Sequence, residues 1–299
     1  MSDAADIYCA HFGLRERPFL TAPDPAFLFW SRAHRAAFTV LDYGLVSRAP
    51  ITLLTGEVGA GKTTLLRHLL SRIGEDLCVG LVSNAQGGRD ELLRWTMHAF
   101  GQPAEPGEDH VALFARLQDF LVGQYAAGRR AILVFDEAQH LSPGALEELR
   151  MYTNVNIGKD EILQLILVGQ PELREGVRRP DLRQFAQRIA VSYHLPSLGA
   201  TETLGYVAHR LEAAGGSAGL LSPEACALIH DRTGGVPRLV NQLCDLSLLY
   251  AFTEGAAGVT RATVSQILAD GVFFGAVPAR RDPLRLVDGA APLGEIPDV

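Results

Sequence analysis

Residues 51–64 read Ile-Thr-Leu-Leu-Thr-Gly-Glu-Val-Gly-Ala-Gly-Lys-Thr-Thr, an apolar β-prone run, a glycine-rich loop and, immediately behind it, a helical pattern. Gly56-x4-Gly61-Lys62-Thr63 in a strand–loop–helix context predicts a phosphate-cradling P-loop. Glycines let the backbone curl so that successive N–H groups of Gly56, Glu57, Val58, Gly59, Ala60 and Gly61 face an anion. The helix that follows adds its positive N-terminal end at Lys62, Thr63 and Thr64. Lys62 would reach the β- and γ-phosphates, and the Thr63 hydroxyl would coordinate Mg2+. Lysine is scarce: Lys62 and Lys159 are the only two among 27 lysines and arginines, which makes an accidental match rarer still.

The chain of 299 residues is long enough for one large domain or two smaller ones, and 47% hydrophobic residues supply a sizeable core. A net charge of −7 excludes a uniformly basic surface and leaves room only for a local basic face. Cys9, Cys78, Cys226 and Cys244 form no CxxC pair and fit no zinc or disulfide framework. Cys78 and Cys226 lie in apolar runs and are expected as buried thiols. No secretory signal and no bilayer-length apolar stretch is evident, so a cytoplasmic location is expected, with any membrane role running through a partner.

Residues 1–35 are rich in aromatics and prolines and are expected to pack as an arm on the core rather than to be disordered. A helix is expected at about 33–48. Apolar runs at Ile51–Thr55, Leu77–Ser83, Ala131–Phe135, Leu163–Val168 and Ile189–Leu195 then alternate with helical patterns. Continuous Val/Ile/Leu runs are what strands buried on both faces require, so the fold class is α/β, a parallel sheet flanked by helices over 36–198. After Pro196 only helical patterns recur, at about 201–214, 222–233, 237–252 and 260–269, giving a small all-helical lid subdomain over 199–272. Ser222 reads as an N-cap with Pro223 at the first helical position. Residues 273–299 lack periodicity and are expected to form a disordered tail.

Ala131-Ile-Leu-Val-Phe-Asp136-Glu137 is an apolar strand ending in two acids. At the C-terminal edge of a parallel sheet both would face the ligand crevice. Asp136 suits a Walker B carboxylate that holds Mg2+ through its water shell, and Glu137 a general base for the attacking water. His140 has no second histidine at ligand spacing and reads as a surface residue or a neighbour of the site. Gln170, just past the strand at Leu163–Val168, would touch the γ-phosphate or the lytic water; otherwise it simply opens the Pro171 helix.

Together these features resemble the AAA+ ATPases, and among them the ExeA (general secretion pathway protein A) family, which is similar in turn to the origin-recognition and transposition ATPases. The resemblance rests on His11-Phe-Gly-Leu-Arg-Glu-Arg-Pro-Phe19, Thr21-Ala-Pro-Asp-Pro-Ala-Phe-Leu28, Leu54–Thr64, Asp136-Glu-Ala-Gln139, Leu167-Val-Gly-Gln-Pro-Glu-Leu173 and Leu182–Tyr193, and spans about residues 8–270. It implies a P-loop NTPase with ATP and Mg2+ as ligands and an arm that runs beside the adenine. It further implies that Arg188 is an arginine finger acting on a neighbouring subunit, with Arg183 as the nearby competitor and a local ion pair as the alternative role. Gly235-Val-Pro-Arg238 resembles a sensor-2 motif, from which Arg238 reaches the nucleotide; the alternative is a solvated first-turn arginine. The longer secretion proteins of this family continue into a transmembrane helix and a peptidoglycan-binding domain. Neither is expected within these residues, so the resemblance implies the ATPase module.

The expected function is ATP hydrolysis by a homo-oligomer, a ring or filament, coupled to remodelling or assembly of a protein partner in secretion or envelope polysaccharide export. The alternative is an ATP-dependent DNA-binding regulator of the transposition type. Its candidate basic groups are Arg89, Arg94, Arg129, Arg130, Arg174, Arg178, Arg179 and Arg183, the last four interleaved with Glu172, Glu175 and Asp181. A non-hydrolysing nucleotide switch is disfavoured by the presence of Glu137.

Overall fold

A computed structural model describes residues 7–22, 24–83 and 89–275. Most of the expected tail, and the side chain of Arg89, lie outside the described residues. The short helix α1 (Cys9–Phe12) precedes α2 (Arg32–Val46), β1 (Ile51–Gly56), α3 (Lys62–Leu70), β2 (Leu77–Ser83), α4 (Arg89–Ala99) and α5 (His110–Ala126). Next come β3 (Arg130–Asp136), α6 (Pro143–Tyr152), the two-residue strands β4 (Asn156–Ile157) and β5 (Asp160–Glu161), β6 (Leu163–Gly169), α7 (Pro171–Gly176), α8 (Arg183–Arg188) and β7 (Ile189–Leu195). Four helices complete the described chain: α9 (Ala200–Ala213), α10 (Pro223–Thr233), α11 (Pro237–Thr253) and α12 (Arg261–Ala269).

The main sheet has the order β2-β3-β6-β1-β7 and every pairing in it is parallel. All of β1 and β6, and β3 beyond Arg130, are buried, whereas the edge strands β2 and β7 are half-exposed. Residues along one strand point alternately to the two faces. Leu133 and Phe135 therefore join Leu165 and Leu167 under α4, α5 and α6, while Ile132 and Val134 join Ile166 and Val168 under α2 and α3. This two-sided burial is why the strands read as unbroken apolar runs. The small β4–β5 ladder around Gly158 was not expected, since two-residue strands carry no periodicity.

The arm packs for most of its length on the lid helices and at its end on the core. Tyr8, Cys9, Leu14, Phe19 and Phe27 share one apolar cluster with α9–α12, and only near Trp30 does the segment join the cluster beneath the sheet. The lid helices alone leave an apolar face uncovered, and the arm's aromatics cover it. Tyr8 and Arg17 both bond to Asp245 of α11, and the guanidinium of Arg210 on α9 lies 4.8 Å from the Phe27 ring centre. Ser222 caps α10 through Ala225 N–H at 3.1 Å, with Pro223 at the first helical position as the sequence implies. No disulfide joins Cys9, Cys78, Cys226 and Cys244; Cys226 is buried as expected and Cys78 only half-buried.

A backbone hydrogen bond holds the chain where it crosses from sheet to lid. Leu198 N–H donates to Gly235 O at 2.9 Å, and Gly235 takes φ +70°. A Cβ on Gly235 would sit 2.0 Å from Leu198 O, a backbone atom that has no room to retreat. Gly235→Ala adds this clash to left-handed strain and is expected to cost about 2 kcal/mol or more. Chemical denaturation, with Gly255→Ala as a left-handed glycine that has open space, checks this; equal losses in the two variants would contradict it.

Candidate active site

Parallel strands end at the same edge, so the loops after β1, β6 and β3 meet. The loop after β1 turns through Gly59 and Gly61 at φ +80° and +100° and enters α3 at Lys62. Lys62 is buried, its Nζ donating to Gly56 O at 2.7 Å and Glu57 O at 2.9 Å. Burial lowers its pKa, against the opposing pull of Glu137, Asp136, Glu57 and Glu172. One residue further, Thr63 Oγ1 donates to Asp136 Oδ2 at 2.9 Å, joining the β1 loop to the end of β3. Burial raises the pKa of Asp136, partly offset by the Thr63 hydroxyl and the Glu137 N–H.

Glu137 stands in the left-handed region at φ +58°, uncommon for a residue with a side chain. Gln139 Nε2 donates to its Oε2 at 2.6 Å, and Gln170 Nε2 donates to the same oxygen at 3.1 Å. The Oε1 of Gln139 in turn accepts from Gln170 N–H at 3.1 Å. Burial pushes the Glu137 carboxyl up, but the two amides and Lys62 outweigh it and hold it below its ordinary value. Gln170 thus lies at the end of β6 where the sequence puts it, with its amide on the carboxylate. Gln139, inside the quoted Asp-Glu-Ala-Gln run, had not been singled out.

A cavity of about 220 Å³ opens beside this loop, walled by Val58, Gly59, Gly61–Thr64 and Glu137, by the arm residues Leu20–Ala22, Asp24 and Phe27–Phe29, and by Tyr206, Arg210 and Asn241 of the lid. Arg238, at the start of α11, lines it too, its N–H donating to Gly59 O at 3.2 Å. Gly56, Ala60 and Asp136 are buried behind the lining, and Glu57 faces another cleft with His194. Arg188 lies apart from the cavity: it pairs with Glu161 at 3.2 Å and bonds to Thr153 O and Asn154 Oδ1. Arg183 is exposed, with no ion pair among the described residues. His34, Tyr206, Arg210 and Asn241 escaped the sequence reading because each is a lone polar residue in a helical pattern, without motif spacing.

The donor set fits a hard divalent cation. Thr63 and Asp136 offer two adjacent oxygens, and among the described residues no group of three or more His, Cys, Asp or Glu could hold a metal ion alone. Mg2+ keeps such a site only when phosphate and water oxygens complete it. Of the basic groups, Arg179 is paired with Asp181 at 2.9 Å and Arg130 faces Asp76 at 3.8 Å.

Residues 46–176 match the model of an AAA domain. The chain is 39% identical over 259 residues to General secretion pathway protein A of Aeromonas hydrophila, an alignment covering 87% of this chain and 47% of that protein. It thus spans about half the length of the curated relative it matches. Cdc6p from Pyrobaculum aerophilum resembles it at a TM-score of 0.65 and 18% identity, covering 84% of this chain and 72% of that one. The Aeropyrum pernix ORC2 protein, solved as ADPNP-ADP complexes, does so at 0.56 and 19%, covering 79% and 66%. At these identities the solved structures establish the fold.

His34 and His194 both have pKa values lowered from 6.5, chiefly by burial. Their unfolded forms therefore take up protons first on acidification. The stability they permit is complete above pH 6.5 and falls as the pH drops through 6.5 toward the lower folded values. The melting temperature of the wild type is expected to fall between pH 7.5 and 5.5 by more than that of a His34→Gln/His194→Gln double variant. Parallel profiles would show that the two histidines do not carry the acid sensitivity.

Proposed function

We propose that this chain, which matches an AAA domain over residues 46–176 and is similar to general secretion pathway protein A, is an AAA+ P-loop ATPase that binds and hydrolyses ATP with Mg2+. The convergence of Lys62, Thr63, Asp136 and Glu137 where β1 and β3 end, with Arg238 reaching in from the lid, carries this reading. Loop N–H groups and the α3 N-terminus attract the phosphates, and Lys62 neutralises charge on the β- and γ-phosphates. Thr63 and Asp136 would hold Mg2+, which supplies Lewis-acid neutralisation of the phosphate oxygens when bound. Glu137 orients the attacking water and takes its proton, with Gln139 and Gln170 fixing the carboxylate. Arg238 clamps the nucleotide from the lid side.

Arg188 would act in trans on a neighbouring copy within a ring or filament. In that role its guanidinium gives up Glu161, a half-exposed pair of the kind that stabilises little. The relationship to a general secretion pathway protein supports a protein partner in secretion or envelope export, coupled to turnover. No helix of the described residues is long and apolar enough to cross a membrane, and a cytoplasmic location is part of the proposal. The DNA-binding alternative has less support: part of its basic cluster is engaged by acids, and the net charge is −7. A salt-sensitive, ATP-dependent DNA shift would revive it.

Lys62→Ala is expected to weaken Mg-ATP binding at least tenfold, read by calorimetry. Glu137→Gln is expected to bind as the wild type does while releasing phosphate about 100-fold more slowly or worse. Wild-type binding by the first variant, or wild-type turnover by the second, would overturn the assignment.

A further inference from the structure

An anion nest works only if its N–H groups point inward and its carbonyls outward. The Ala60 residue of the loop is fully buried, so its carbonyl needs a partner or pays a desolvation penalty. That partner comes from outside both acidic and glycine motifs. His34, on α2, places Nε2 3.1 Å from Ala60 O, while its Nδ1 lies 2.8 Å from Ser31 Oγ.

The proton positions follow from the partners. A carbonyl oxygen only accepts, so Nε2 carries the hydrogen. In the neutral ring Nδ1 is then bare and accepts the Ser31 hydroxyl proton. Ser31 Oγ keeps a lone pair for His34 N–H, at 3.2 Å, the bond that caps α2. His34 and Ser31 are 5% and 3% exposed, and burial lowers the ring's pKa, which keeps this single tautomer. The ring also lies against the next loop residue: a Cβ on Gly61 would stand 2.9 Å from Nε2.

We propose that His34, fixed by Ser31, is a positioning residue for the phosphate loop: it holds the Ala60 carbonyl turned away from the bound triphosphate and thereby sets nucleotide affinity. Loss of its N–H leaves that carbonyl free to swing its negative end toward the phosphates. Ser31 closes the arm and His34 lines the cavity, so the arm's seat on the lid and the shape of the loop meet at one hydrogen-bonded pair. The inference rests on the ATP-binding reading given above.

Binding of a fluorescent ATP analogue with Mg2+, alongside thermal melting without nucleotide, tests it in the full chain. His34→Leu keeps an apolar filler but no donor, and is expected to weaken binding about tenfold. His34→Gln returns an N–H within reach of Ala60 O and is expected to recover most of that loss. Ser31→Ala, which frees the ring, is expected to weaken binding about threefold. If the wild type binds and all three variants bind equally well, the inference fails while the ATP-binding reading stands. Equal losses in the Leu and Gln variants, tracking lowered melting temperatures, would assign His34 a packing role and also overturn it. Should His34→Leu not fold, Gln and Ser31→Ala decide: recovery in the first with loss in the second supports the proposal, and wild-type binding by Ser31→Ala refutes it. A wild type that binds no nucleotide sinks the underlying reading, a failure visible before any variant is made.

Discussion

One hydrogen bond, from Thr63 to Asp136, depends on the whole sheet and in turn organises the site. It demands that β1 and β3 end at the same level with β6 between them, an order that only a buried parallel sheet supplies. Each central strand presents one row of apolar side chains to each face, and helices must cover both. The acids at the end of β3 are therefore held at a fixed height relative to the glycine loop, and Gln170 at the end of β6 falls between them.

The site concentrates groups that would be costly if buried singly. Lys62 is buried against carbonyls with Asp136 and Glu137 near, and its charge and theirs offset each other's desolvation. Glu137 is stabilised differently, by two amide donors on one carboxylate oxygen. A carboxylate held in this way stays ionised and keeps one orientation, as a base for a water molecule must. The left-handed backbone at Glu137 is a local strain at the point where the chain must turn the acid toward the cavity.

Lid and arm form a second unit of packing with its own apolar cluster. The lid meets the loop through Arg238 N–H on Gly59 O, and the end of the arm meets it through the Ser31–His34–Ala60 chain of hydrogen bonds. The lid is thereby joined to the phosphate loop at its backbone, a connection through which lid position and loop shape would influence each other.

The order of strands and helices, the phosphate loop and the paired acids were legible in the residues, because buried parallel strands require unbroken apolar runs and a nest requires glycine at fixed spacing. Both are constraints of neighbours along the chain. Where the arm docks, that Gln139 and Gln170 share one carboxylate oxygen, that Arg188 pairs with Glu161, and that His34 supports Ala60 were decided only in three dimensions. Each depends on residues far apart in sequence meeting at hydrogen-bond or van der Waals distance, and a lone polar residue in a helix carries no periodic mark of the partner it will find.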